Sequence, residues 1–120
     1  MSKRVLIVDD SLYMRTVIKD ALSQAGYDVV GQAGSGESAI DMALELEPDV
    51  ITLDNILPDM LGLDVLNVLK EEESTSKVVM ISAVGQESVI EEGIKRGASR
   101  YLVKPFTSEQ LVEAINGVCK

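Results

Sequence analysis

The sequence has no histidine and a single cysteine, Cys119. Those shortages remove His-based zinc centres, Ser–His and Cys–His catalysis, and any intrachain disulfide. Cys119 lies near the end of the last helical stretch and is expected to pack as a small buried hydrophobe. Positive charge is scarce as well, with eleven basic residues against twenty acidic ones and a formal net charge of −9. A chain this acidic offers no general surface for nucleic-acid phosphates, which need clustered Lys and Arg. It suits partners with basic or apolar surfaces, or a site that holds a cation; solubility alone explains the charge equally well. Long apolar runs are missing too. The opening "MSKRVLIVDD" is too short in apolar length for a signal peptide or a membrane span, so a cytoplasmic protein with no membrane partner is expected. With three prolines, nine glycines and no low-complexity stretch, no linker or disordered tail is evident. One domain over residues 1–120 is the expectation.

Short apolar runs alternate with longer amphipathic ones. The runs Val5–Val8, Val29–Ala33, Val50–Leu53, Val78–Ile81 and Tyr101–Val103 have the length and β-branched content of buried strands. Between the first two, "SLYMRTVIKDALSQAG" places Met14, Val17, Ile18, Ala21, Leu22 and Ala25 on one helical face, and Gly26 can close the helix. "SGESAIDMALELEP" sets Ile40, Ala43 and Leu44 on a face, with Pro48 as a stop. Leu63, Leu66 and Leu69 mark a third helix, and Val89, Ile90 and Ile94 a fourth. "TSEQLVEAINGVCK" opens with a Thr107-to-Gln110 capping box and continues through Leu111, Val112, Ile115 and Val118. Five βα units of this kind predict a doubly wound, five-stranded parallel sheet with helices on both faces, since crossovers are right-handed. Five are too few for an eight-stranded barrel.

In such a sheet the carboxyl ends of the strands share one edge, where ligands bind. "VLIVDD" ends in Asp9 and Asp10, "VITLD" in Asp54, "VVMIS" in Ser82 and "YLVKP" in Lys104 and Pro105. Each has a plain explanation alone. Asp10 or Ser11 could cap the first helix, Asp54 could belong to the turn before Pro58, Ser82 could be a satisfied hydroxyl, and Lys104 a surface lysine. Together they converge on one edge. Two carboxylates about 4 Å apart repel by roughly 4 kcal/mol at an effective dielectric of 20, a penalty that a divalent cation removes. Oxygen-only ligands select a hard ion, Mg²⁺ or Mn²⁺, which commonly bridges carboxylates to phosphate oxygens. Lys104 and Ser82 suit the remaining phosphate oxygens, as a point charge and a hydroxyl donor. With no other activated nucleophile available, a carboxylate can accept the phosphoryl group, and Asp54 at the end of the central run is the candidate.

"VDDS" followed by "MR", then "DNILPDMLG", "ISA" and "LVKPF", stand in an order and spacing that resembles the receiver domain of bacterial two-component response regulators over the whole chain. The likeness is greatest to the stand-alone chemotaxis type. It implies the flavodoxin-like (βα)5 sheet order 2-1-3-4-5 and phosphorylation of Asp54 by a sensor histidine kinase. Asp10, Asp54 and the backbone carbonyl of Ile56 would bind Mg²⁺, with Asp9 acting largely through a water. Ser82, Ala83 and Lys104 would hold the phosphate, and the Lys104–Pro105 bond would be cis. Movement of the Ser82 hydroxyl would be coupled to inward rotation of Tyr101. That rotation would change the partner affinity of the face built by the fourth helix, fifth strand and fifth helix. The resemblance further implies a monomer acting on a downstream protein, such as a flagellar motor switch protein, and open to a phosphatase. A phosphorelay intermediate or phosphate sink shares this chemistry.

Some positions depart from the common pattern of that family. Ser82 replaces a frequent threonine, and Leu57 and Leu61 make the loop after Asp54 unusually apolar. Ile56 and Val84 are bulky and apolar where relatives are often polar, which predicts hindered attack by water on a phosphorylated Asp54. Two other classes fit less well. A flavodoxin-like cofactor binder needs a Ser/Thr/Gly-rich phosphate loop where "DDSLYM" puts two anions. An aspartyl-nucleophile phosphatase favours Asp-x-Asp and a cap domain, and both are missing.

Overall fold

The computed structural model describes residues 2–119. The strands are β1 (Arg4–Val8), β2 (Asp28–Ala33), β3 (Val50–Leu53), β4 (Lys77–Ser82) and β5 (Arg100–Val103). The helices are α1 (Leu12–Gln24), α2 (Gly36–Leu46), α3 (Gly62–Glu71), α4 (Glu87–Lys95) and α5 (Ser108–Val118). All strand pairings are parallel, in the order β2-β1-β3-β4-β5. The expected strands each gain at most a residue at an end, where the ladder continues through polar side chains such as Arg4, Lys77 and Ser82.

Alternation along the central strands feeds two cores. Leu6, Val8, Ile51, Leu53, Val78 and Met80 face one way, onto Ala39 and Ala43 of α2 and Val65, Leu66 and Leu69 of α3. Val5, Ile7, Val50, Val79 and Ile81 face the other way, onto Ile18 and Leu22 of α1 and Leu111, Ala114 and Ile115 of α5. A strand covered on both faces must be apolar at every position, which is why β1, β3 and β4 read as nearly unbroken hydrophobic runs. The break is Thr52 in β3, fully buried, whose Oγ1 is without a hydrogen-bond partner among the described residues.

The helices fit their expected faces with four corrections. Ala25 is exposed and serves as the C-cap of α1, one residue past the helix. Leu44 is 42% exposed, because α2 packs through the smaller Ala39 and Ala43. Within α4 only Gly93 is buried: Val89 and Ile90 are half-buried and Ile94 is exposed, so its apolar face is only partly covered. Cys119 is half-buried rather than enclosed. It stands at the C-cap of α5 beside Tyr27, where the helix has run past the end of the core. Among the described residues no helix is long and apolar enough to cross a membrane.

Candidate functional site

The sheet ladder runs on past the strand ends and fixes where their last residues stand. The Asp9 N–H donates to the Ala33 carbonyl (3.1 Å), the Asp54 N–H to Val8 (3.0 Å), and the Lys104 N–H to Ser82 (2.9 Å). Side chains from β1, β3 and β5 therefore meet at the carboxyl edge, next to the point where strand order reverses. One carboxylate oxygen each from Asp9, Asp10 and Asp54 lies within 4.8 Å of the others. Lys104 Nζ donates to Asp9 Oδ2 at 2.8 Å and stands 3.5 Å from Asp54 Oδ2. Asp9 and Asp54 are buried, while Asp10 faces solvent.

Between the two capping candidates the geometry is clear. Ser11 is the N-cap of α1, its Oγ accepting from the Met14 N–H at 3.2 Å. Asp10 is thus not occupied in starting the helix. Asp9 Oδ1 accepts from the Ser11 N–H (2.9 Å), and its main-chain carbonyl accepts from Arg15 Nη1 (2.7 Å). Arg15 Nε reaches Gln32 Oε1 at 3.3 Å, tying the ends of β1 and β2 together through α1.

Asp54 Oδ1 accepts only a long 3.4 Å bond from the Ile56 N–H. The turn that follows is instead organised by its neighbours. Asn55 Oδ1 accepts from the Leu63 N–H (3.2 Å), and the Asn55 carbonyl accepts from Gly62 N–H (2.6 Å). Ile56 and Leu61 pair across the loop. A Cβ at Gly62 would lie 2.5 Å from the Asp54 carbonyl oxygen, so glycine permits this close return of the chain. The Asp59 carboxylate accepts from the Gly36 (2.8 Å) and Glu37 (3.0 Å) N–H groups at the start of α2. Arg15, Asn55, Asp59 and Gly62 lie within the "MR" and "DNILPDMLG" motifs, where the sequence assigns them no role, and they shape the backbone around the site rather than enter it. Glycine at the first position of a helix was the one local signal.

Burial pushes the Asp54 carboxyl above the ordinary carboxylate range, and the charge of Asp9 adds to this; Lys104 and the Ile56 N–H offset only part of it. For Lys104, burial pulls the ammonium down, but the bond to Asp9 and the charges of Asp54 and Asp9 together outweigh it, so its pKa is raised. Three ionised carboxylates against one ammonium leave a formal charge of −2. A divalent cation matches that charge, and an all-oxygen set with Asp10 open to solvent fits a hard ion such as Mg²⁺.

Ser82 is fully buried and its Oγ accepts from the Val84 N–H at 3.2 Å. The Val84 carbonyl accepts from the Tyr101 hydroxyl at 2.7 Å. Two hydrogen bonds through one residue, Val84, thus link the Ser82 hydroxyl at the end of β4 to the Tyr101 hydroxyl. Ala83, between Ser82 and Val84, is exposed. The Lys104–Pro105 peptide bond is cis. Leu57 is buried, whereas Leu61 and Ile56 are exposed, Ile56 by 53%.

An edge of this charge does not suit a flavodoxin-like cofactor binder, whose phosphate would meet Asp9 and Asp10 head-on. It suits a two-component response regulator, a phosphorylation-controlled signalling switch on the CheY-like fold. The chain belongs to the response regulator receiver domain family, whose model matches residues 5–116. The chemotaxis protein CheY of Thermotoga maritima is 42% identical over 120 residues, covering 100% of both chains. That of Bacillus subtilis is 40% identical over 116 residues, 97% of each chain. Among solved structures, the CheX–CheY–BeF3–Mg complex from Borrelia burgdorferi superposes with a TM-score of 0.95 at 28% identity, covering 98% of this chain and 90% of that one.

Proposed function

We propose that Asp54 is the phosphoryl acceptor of a chemotaxis-type response regulator. The donor is a phosphohistidine on a sensor histidine kinase. An Asp54 carboxylate oxygen attacks phosphorus, the N–P bond breaks with its electron pair going to the imidazole, and an acyl phosphate forms. Asp9, Asp10, Asp54 and the main-chain carbonyl of Ile56 would hold Mg²⁺, or Mn²⁺ in its place, and the ion would supply positive charge against the phosphoryl oxygens. Lys104, Ser82 and the main chain at Ala83 take up the remaining phosphate oxygens. The protein's part is positioning and charge balance, so it promotes its own phosphorylation and dephosphorylation and turns over no other substrate.

The output is a change of partner affinity on the face of α4, β5 and α5. The link from Ser82 through Val84 to Tyr101 supports this route, because a Ser82 hydroxyl drawn toward phosphate would disturb the Val84 N–H that it now accepts from. The partly covered apolar side of α4, with Ile94 exposed, supports a protein target there. Full-length likeness to CheY proteins favours chemotaxis. The reading includes a flagellar motor switch protein as target, a phosphatase resetting the signal, and a cytoplasmic monomer in which residues 1–120 form a single receiver domain.

The observation that carries this reading is the meeting of three carboxylates with one lysine at a strand-order switch. Intact-mass analysis after incubation with acetyl phosphate and Mg²⁺ tests it. A single phosphoryl adduct is expected, absent without Mg²⁺ and absent in Asp54→Asn. An adduct that persists in Asp54→Asn rejects the assignment.

A further inference from the structure

The segment between Asp54 and α3 carries the Ile56 carbonyl assigned above to Mg²⁺, so whatever restrains this segment bears on the metal. Its base is held by Asn55 and Gly62, as described. Its tip is held by a helix that brings nothing to the acid pocket. Both Asp59 oxygens accept from the first N–H groups of α2, at Gly36 and Glu37. Met60 lies across Gly36 so closely that a Cβ there would collide with its Cγ and Sδ. These contacts are not needed to begin α2. Ser35 is already its N-cap, with Oγ accepting from the Ser38 N–H at 3.2 Å. The two N–H bonds hold the Asp59 carboxyl below the usual range, so it is ionised at neutral pH.

We propose that Asp59 is a positioning residue for the metal, and that its clasp on α2, backed by Met60 over Gly36, orders the loop bearing the Ile56 carbonyl before Mg²⁺ arrives. This rests on the reading of the pocket as a Mg²⁺ site. A loop released at its tip must be ordered by the incoming ion, and that entropic cost weakens binding. Once the ion is bound the loop is ordered in either case, so the chemistry at saturating metal is unchanged. Asp59 acts on affinity and not on the transfer step.

Calorimetric titration of the full chain with MgCl₂ tests this, beside the rate of phosphorylation by acetyl phosphate at saturating Mg²⁺. Asp59→Ala should bind Mg²⁺ about tenfold more weakly, the scale seen when residues behind metal ligands are removed. Its rate at saturating Mg²⁺ should stay close to that of the parent. Gly36→Ala, which displaces Met60 but keeps Asp59, should weaken binding in the same direction. Ser35→Ala removes the cap of the same helix without touching the loop and should leave Mg²⁺ affinity unchanged. Unaltered affinity in Asp59→Ala, an equal loss in Ser35→Ala, or a rate defect that saturating Mg²⁺ does not repair each overturns the proposal. A parent protein that binds no Mg²⁺ sinks the underlying function, a result distinct from any of these.

Discussion

Lys104 Nζ sits 2.8 Å from Asp9 and 3.5 Å from Asp54, so the ammonium that would hold a phosphoryl group is first paired with the neighbouring buried acid. That pairing stabilises the fold as well as the site. Asp9 is 1% exposed, and without Lys104 its charge would lack a cation. Lys104→Met should destabilise the protein by about 2 kcal/mol in urea unfolding without Mg²⁺, a discount on the usual cost of breaking a buried pair because the lysine is partly solvated. Saturating Mg²⁺ should recover a large part of the loss. Equal loss with and without the ion would contradict the account of how the acids are balanced.

Asp54 should affect stability with the opposite sign. Burial raises its carboxyl, so the folded state holds the proton more tightly than the unfolded chain does. Stability from this group is complete below the unfolded pKa of about 3.9 and is lost as pH rises through the raised folded value. At pH 7 Asp54→Asn should therefore be more stable than the parent, with the gap closing in acid. Urea curves at several pH values without Mg²⁺ check this; a less stable variant at neutral pH would contradict it.

Ile56, two residues past Asp54, is 53% exposed, and Val84, two residues past Ser82, is half-buried. Apolar groups at these places would hinder the water that hydrolyses an acyl phosphate. Ile56→Asn should shorten the lifetime of the phosphorylated state several-fold with little change in its formation. Decay followed by intact mass after removal of acetyl phosphate measures it, and an unchanged decay rate rejects the shielding role.

The Tyr101 hydroxyl donates to the Val84 carbonyl at 2.7 Å. Tyr101→Phe should cost about 1 kcal/mol of stability and leave phosphorylation of Asp54 intact. It should also shrink the difference in target affinity between phosphorylated and unphosphorylated protein. A difference as large as the parent's, measured against the cognate target, would place the switch elsewhere.

Much of this was legible in the chain because doubly covered strands impose continuous hydrophobicity. Val5–Val8, Val50–Leu53 and Val78–Ile81 could hardly be anything else, and their final residues could then be aligned on one edge. The Thr107–Gln110 capping box was likewise a local signal, and it is present at the start of α5. The choice between Asp10 and Ser11 as cap was not legible, since both residue types can perform it and only the backbone decides. Leu44 was misplaced because period alone does not say which side of an apolar stripe the sheet will meet. Asp59 stands in the motif "DNILPDMLG", but its role was not legible because its partners, Gly36 and Glu37, lie 23 and 22 residues away in sequence and meet it only in the fold.

Reductive trapping with borohydride followed by peptide mapping locates an acyl phosphate directly. After acetyl phosphate and Mg²⁺, reduction should convert the side chain at position 54 alone, and omission of Mg²⁺ should abolish it. Conversion at Asp9 or Asp10 instead, or at position 54 irrespective of Mg²⁺, would contradict the reading of this pocket as a metal-assisted phosphoryl acceptor.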